Sequence, residues 1–356
     1  MLVVVLVTLL FASLLLTRLI EAGSADLLLA MRQADRARLQ ADAHSALETT
    51  LAVLMDFRTV DGGLYASSQG WDDPLGYAGY TPREGVAVQV GFEDESAKLS
   101  LPRLTPDTLN TLLVQLGLAA PDAARVTDAM FVWMHRGHLA AESETSARVY
   151  EQDELPAVPP GRPLRSFDEL AGIEVARGYF YDPAGRPRPL LEDFRRVVSL
   201  YEFNGTNLNM AAPAVLRAAG WEADQIGRLE KYLARPVIAT RSRPYLRSPQ
   251  EVHGQLGKVS LNNLGEQSHL LRINVTVRRG PAALHLSALV TWLDLARLPT
   301  PFAASPEGTT RVVGEQASAQ SASPALNASA NSLRYPFTVL EFSETVLPAT
   351  TDAPAA

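Results

Sequence analysis

Two histidines and two glutamates lie close together in the middle of the chain and could bind a metal ion. His135 and His138 form an H-x-x-H pair, and Glu142 and Glu144 follow shortly after it. Imidazole nitrogens and carboxylate oxygens are common zinc ligands, so the pattern is compatible with a metal-dependent hydrolase that uses His135, His138 and Glu142. A polar helix end followed by a loop is the interpretation that this spacing favours.

The sequence lacks the motifs of several common enzyme classes. It contains no G-x-S-x-G, no P-loop and no G-x-G-x-x-G, and GQLGKVS around Lys258 lacks the spacing that cradles a phosphate. It also contains no cysteine, which excludes disulfides, thiolate metal sites and cysteine nucleophiles. We therefore predict a protein that is not an enzyme.

Two stretches raise the question of DNA binding. SFDELAGI and NLNMAAPAVLRAAG have the short-helix pattern of helix-hairpin-helix units, which leaves open a DNA-uptake module. The formal net charge of -7 gives no general attraction to phosphate backbones. Packing units are thus favoured, and we predict no nucleic-acid partner.

A run of apolar residues opens the chain and predicts a transmembrane segment over residues 1–20. About 17 uncharged residues form a helix of roughly 26 Å, close to the ~30 Å thickness of a bilayer core. A cleaved signal peptide is the alternative because Gly23 and Ala25 are small, but the basic region of a signal is missing. The side chains expected in the membrane include Val3, Val5, Leu9 and Leu16.

The same helix is predicted to continue as an amphipathic segment over residues 21–57. From Asp26 onward neither proline nor glycine interrupts it, and its apolar residues recur at helical spacing. A helix of this kind can lie in a bilayer with its first half and pack on a soluble domain with its second. The apolar stripe consists of Leu28, Leu39, Ala43, Ala46, Leu47, Thr50, Leu51 and Leu54.

Strand and helix patterns divide the remainder of the chain. Residues 58–102 are predicted to begin an antiparallel sheet, with a hairpin on both sides of the acidic triplet Glu93–Glu95. Residues 103–240 are predicted to be helical, with Thr105 as an N-cap and Ser166 with Glu169 at capping-box spacing. The chain should therefore change from sheet to helix after residue 102.

Sheet character returns after the helices. Residues 241–300 are predicted to contain a hairpin across Gly280 and Pro281, and residues 335–356 a last strand and tail. Residues 301–334, rich in Ala and Ser, predict a flexible insertion. The order indicates an α+β fold in which an α-helical domain of short helix-hairpin units is inserted between strands.

Four separated motifs follow one another along the chain: FEDESAKLSL with Glu95 and Lys98, AESETSARVY, PLRSFDELAGI with Glu169, and TNLNMAAPAVL with Asn207 and Asn209. Taken in order, they resemble motifs of the minor pseudopilin K family (general secretion pathway protein K) of the bacterial type II secretion system. The first resembles that family's acidic turn and following lysine, and the last places Asn207 and Asn209 at the family's asparagines. The resemblance extends from the first residue to about Trp292.

The resemblance implies a fold, a location and partners. The fold would be a pilin-like antiparallel sheet behind a long pilin-type helix, with an inserted helical domain. The protein would lie in the inner membrane with its bulk in the periplasm and would assemble with minor pseudopilins I and J at the tip of the pseudopilus. The resemblance also leaves open contacts with the platform of the secretion ATPase and with secreted exoproteins.

Two details of the sequence bear on the resemblance. Most pseudopilins carry a glutamate near the start of the helix that pairs with a neighbouring subunit, whereas this chain has no acid before Glu21, as a tip subunit would. The family also has an acidic motif suited to calcium, but VWMHRGH keeps Trp133 and has His135 at an acidic position. The calcium ligands that the resemblance leaves are Asp128, Glu142 and Glu144.

Overall fold

The computed structural model describes residues 2–141, 159–235, 244–257, 259–292 and 337–347. The helices are α1 (Leu2–Asp61), α2 (Pro74–Tyr77), α3 (Pro106–Gln115), α4 (Ala120–Met134), α5 (Glu174–Phe180), α6 (Pro189–Val197), α7 (Pro213–Ala218), α8 (Ala223–Leu233) and α9 (Pro249–Leu256). The strands are β1 (Ala87–Asp94), β2 (Leu99–Ser100), β3 (Val198–Ser199), β4 (Thr206–Asn207), β5 (Leu264–Gly265), β6 (Leu270–Arg279), β7 (Ala282–Thr291) and β8 (Thr338–Leu347). The fold is a mixture of helices and antiparallel sheet, as predicted.

Helix α1 is a single helix of 60 residues. It ends at Asp61 instead of the predicted Phe57, and Gly62 follows with a positive φ of 78°. Glycine adopts this left-handed conformation without a steric penalty, which explains why the helix ends there. Among the residues described, no helix is both long enough and apolar enough to cross a membrane.

A four-stranded antiparallel sheet in the order β1-β6-β7-β8 packs against the second half of α1. The helix contributes the part of its predicted apolar stripe from Leu39 to Leu54, and Leu54 is fully buried. Fully buried and partly buried residues alternate along most of β6, as expected of a strand with one face on the core, whereas residues 286–291 of β7 are buried on both faces. The main core residues of this layer are Ala43, Leu47, Leu54, Trp71, Ile273, Val275, Leu286 and Ala288.

Helices α3 to α7 enclose a second core, and α8 with α9 enclose a smaller one. Helix α3 begins as predicted, because the Thr105 hydroxyl accepts a hydrogen bond from the Thr108 amide at 3.3 Å and Pro106 occupies the first turn. All these helices lie between β1 and β6 in the chain, so a helical region interrupts the sheet. Large buried side chains of the second core include Leu109, Leu113, Met130, Phe180 and Phe194.

The predicted hairpin at the acidic triplet is wrong. Strand β1 pairs with the distant strand β6, from Ala87 opposite Arg278 to Asp94 opposite Leu271, and β2 pairs in parallel with β3. The triplet does not form an exposed turn because Asp94 is buried at the end of β1. A 3-10 helix, Glu95–Ala97, then turns the chain away from the sheet.

The two later strand predictions are confirmed. Strands β6 and β7 form an antiparallel hairpin, and Gly280 adopts a φ of 55° at its turn. Strand β8 pairs with β7 and forms one edge of the sheet. The insertion predicted over residues 301–334 lies outside the described residues.

Candidate functional site: a buried polar junction

Polar side chains are buried where the end of β1 meets β4 and β5. Asp94 and Ser96 come from the end of β1 and the 3-10 helix after it, while Asn207 and Asn209 come from β4 and the turn that follows. We call these four residues the polar junction. Because β4 lies within the helical region and β1 within the sheet, the junction connects the two.

Asp94 lies at the centre of the polar junction. One carboxylate oxygen accepts hydrogen bonds from the Ser96 amide at 2.9 Å and the Ser96 hydroxyl at 2.6 Å, and the other accepts one from Asn207 Nδ2 at 2.8 Å. Burial raises the pKa of Asp94, and the hydrogen bonds from Ser96 and Asn207 oppose that rise. The Ser96 hydroxyl in turn accepts a hydrogen bond from the His269 amide at 2.8 Å.

The two asparagines extend the junction to three further segments. Asn207 Nδ2 also donates to the Tyr65 carbonyl at 2.9 Å, and Asn207 Oδ1 accepts from the Asn209 amide at 3.1 Å. Asn209 donates to the carbonyls of Leu246 and Glu266, both at 2.8 Å, and accepts from the Leu246 amide at 2.7 Å. Side-chain amides can both donate and accept, so asparagine suits a position that joins several chain segments.

A chain of charged residues borders the junction. The Lys98 ammonium lies 2.5 Å from Glu93 and 3.1 Å from Glu95, and the Lys98 and Glu95 side chains are 9% and 8% exposed. Arg272 on β6 lies 3.5 Å from Glu95 and 2.9 Å from Glu341 on β8. Opposite charges therefore alternate from the end of β1 to the edge strand of the sheet.

The structure brings four of the five predicted motif residues together. Glu95, Lys98, Asn207 and Asn209 are buried in or beside the polar junction. Glu169 lies elsewhere, in a 3-10 helix, where its carboxylate accepts from the Arg165 amide at 3.0 Å and pairs with Arg162 at 3.2 Å. The predicted capping box is therefore incomplete.

Sequence reasoning missed several members of this site. Asp94 was assigned to the turn of a hairpin. The signal for its role is the Asp-x-Ser pattern, in which the carboxylate can accept a hydrogen bond from the residue two positions on. Nothing in the sequence indicates that Arg272 and Glu341 approach Glu95. Those contacts arise from strand pairing between segments that are far apart in the chain.

The predicted metal ligands are partly described. His138 Nε2 lies 3.0 Å from Asp128 Oδ1, and the other Asp128 oxygen accepts from the Ala141 amide at 2.8 Å. The His135 ring stacks on Phe131, and its pKa is lowered by burial and by the nearby His138. Glu142 and Glu144 lie outside the described residues, and the described part of the chain contains no group of three metal-binding side chains.

The first half of α1 carries the side chains predicted for the membrane. These residues make an extended apolar surface on a helix whose second half packs on the sheet. Isolated apolar residues are normal on protein surfaces, but a long continuous run is not. The exposed fractions are 71% for Val3, 56% for Val5, 65% for Leu9 and 58% for Leu16.

Comparisons with known proteins find a distant likeness among solved structures. No protein-family model matches the chain, and no curated protein matches it at a significant level. Among solved structures, a chain of the GspK-GspI-GspJ complex from the type 2 secretion system of enterotoxigenic Escherichia coli is similar to it. The likeness has 14% sequence identity and a TM-score of 0.49, and covers 76% of this chain and 96% of that chain. At this identity and score it does not establish a family.

The raised pKa of Asp94 predicts how its contribution to stability depends on pH. Because the pKa lies above the ordinary value of 3.8, the folded state binds the proton more tightly than the unfolded state. The contribution is therefore complete below that value and is lost as pH rises through the folded pKa. We expect Asp94→Asn to lower the free energy of unfolding by more at pH 5 than at pH 8, measured by urea unfolding.

The exposed Asp72 provides a matched control for this measurement. The difference in the free energy of unfolding between Asp72→Asn and the wild type should change less with pH than that of Asp94→Asn. A cost of Asp94→Asn that is larger at pH 8 than at pH 5 would contradict the assigned direction.

Proposed function

We propose that this chain is a minor pseudopilin of a type II secretion system, similar to the K family, and that it works through its surfaces and not by catalysis. The observation that carries the proposal is α1. Its second half packs on a four-stranded antiparallel sheet, while its first half presents exposed apolar side chains. This is the arrangement expected of a subunit that is held in a membrane before it enters a filament.

The polar junction supports the same proposal. The motifs that carry the resemblance are separated in sequence, yet Glu95, Lys98, Asn207 and Asn209 converge where the sheet meets the helical region. Such a junction would hold an inserted helical domain in a fixed orientation on a pilin-like sheet. The hydrolase alternative would use His135, His138 and Glu142; His138 Nε2 lies 3.0 Å from Asp128 Oδ1, and Glu142 lies outside the described residues.

The proposal includes a location and partners. The bulk of the protein would lie in the periplasm, anchored in the bacterial inner membrane by α1, and would cap the pseudopilus tip with pseudopilins I and J. The absence of an acid before Glu21 is consistent with a subunit that has no neighbour above it. In this role the protein would help to start filament assembly for export of folded proteins.

Assembly is tested by co-expressing the full-length chain with pseudopilins I and J from the same genome. We expect one complex with a single copy of each subunit, identified by light scattering of the species eluting from a sizing column in detergent. The tip assignment would be contradicted if the chain, with its polar junction intact, eluted separately from both subunits at micromolar concentration.

Membrane attachment is tested separately. We expect the wild type to stay in the membrane pellet after alkaline carbonate extraction, and the double substitution Leu9→Arg and Leu16→Arg to release much of it. An arginine in the middle of a membrane helix costs about 2.5 to 3.5 kcal/mol on the insertion scale. Val60→Arg, on the same helix and at an 83% exposed position, should not change the distribution. A wild-type chain found in the soluble fraction would rule out the anchor.

A further inference from the structure

A polar groove lies beside the polar junction, between the start of the helical region and the loop around β5. Its volume is about 510 Å³. Two of its lining residues, Gly205 and Gly265, approach each other closely, since a Cβ on Gly205 would lie 3.2 Å from the Gly265 amide nitrogen. Its polar lining consists of Arg103, Asn204, Asn263, Glu266, Gln267 and His269.

Glu266 is the unusual group in this groove. Its side chain is half-buried, and no hydrogen bond or ion pair to its carboxylate from another residue is found within the described part of the chain. Burial raises the pKa of Glu266, and the charged neighbour that adds to this rise is another acid, Glu251. A carboxylate in such surroundings is stabilised by any cation that enters the groove.

Neither of the other titratable side chains in the groove, Arg103 and His269, serves as the cation for Glu266. The Arg103 guanidinium, shortly before the start of α3, lies 3.6 Å from the Glu202 carboxylate. Burial lowers the pKa of His269, so its imidazole is uncharged near neutral pH and does not repel a cation. The exposed Asn204 adds a side-chain amide oxygen that can accept a hydrogen bond from a guanidinium group, whereas the Gln267 amide lies against Gly63.

We infer that this groove binds an arginine side chain presented by another protein chain, with Glu266 as its counter-charge. A guanidinium offers several donors in one plane and can serve a carboxylate and a side-chain amide together, which a compact ammonium does less well. The inference concerns the groove alone. It does not depend on the proposed function and would survive the failure of the assembly experiment.

The test uses the full-length protein and two fluorescein-labelled peptides, acetyl-Gly-Gly-Arg-Gly-Gly and the same peptide with citrulline in place of arginine. Citrulline keeps the shape of arginine and removes its charge. We expect saturable binding of the arginine peptide by fluorescence anisotropy and about tenfold weaker binding of the citrulline peptide, because hydrogen bonds to charged groups exceed neutral ones. Glu266→Gln should reduce binding of the arginine peptide to the citrulline level.

Glu230→Gln is the matched control, because Glu230 is an exposed glutamate on α8. It should leave the affinity for the arginine peptide unchanged. Equal binding of the two peptides, unchanged binding by Glu266→Gln, or no saturable binding at millimolar peptide would each overturn the inference.

Discussion

Replacing Asn207 with alanine is expected to lower the free energy of unfolding by about 4 kcal/mol, since each buried polar group left without a partner costs about 1 to 3 kcal/mol. The substitution removes the donor to the Tyr65 carbonyl and to Asp94, and the acceptor for the Asn209 amide. Water cannot replace these partners because Asn207, Asp94 and Asn209 are all buried. Urea unfolding followed by circular dichroism measures the loss.

Asn204→Ala is the control for this prediction. Asn204 lies in the same loop, three residues before Asn207, but is exposed. It should change the free energy of unfolding by less than about 0.5 kcal/mol, as most surface substitutions do. If Asn207→Ala and Asn204→Ala lower the free energy of unfolding by the same small amount, the polar junction does not hold the sheet and the helical region together.

Lys98→Met is expected to cost about 3 kcal/mol, in the range found when one partner of a buried ion pair is removed. Methionine fills a similar volume but leaves Glu95, whose side chain is 8% exposed, with Arg272 at 3.5 Å as its cation. Glu93 can be solvated more easily because its side chain is 44% exposed. The stability loss should therefore come mainly from Glu95.

The double variant Lys98→Met with Glu95→Gln separates this explanation from a simple packing defect. Neutralising Glu95 should restore part of the stability, and the interaction term of the double-mutant cycle should be at least about 1 kcal/mol. Lys231→Met, on the exposed surface of α8, serves as the control for loss of a lysine. If the effects of the two substitutions on the free energy of unfolding are additive, the Lys98–Glu95 ion pair contributes little to stability.

Much of the local structure could be predicted because its causes are local. The periodic apolar residues of α1 predicted a long helix that packs along one stripe, and Gly280 predicted the turn between β6 and β7. Thr105 predicted the start of α3, because an N-cap acts on the first turn that follows it. Each of these features depends on residues within one or two turns of the chain.

Only the tertiary structure decided the partner of β1 and the role of Asp94. An alternating pattern indicates that a segment is a strand, but it does not say which strand lies beside it. The resemblance to the K family singled out Lys98, Asn207 and Asn209 from the sequence. It could not show that they meet, because burial and pairing between distant segments are set by the packing of the whole chain and not by neighbouring residues.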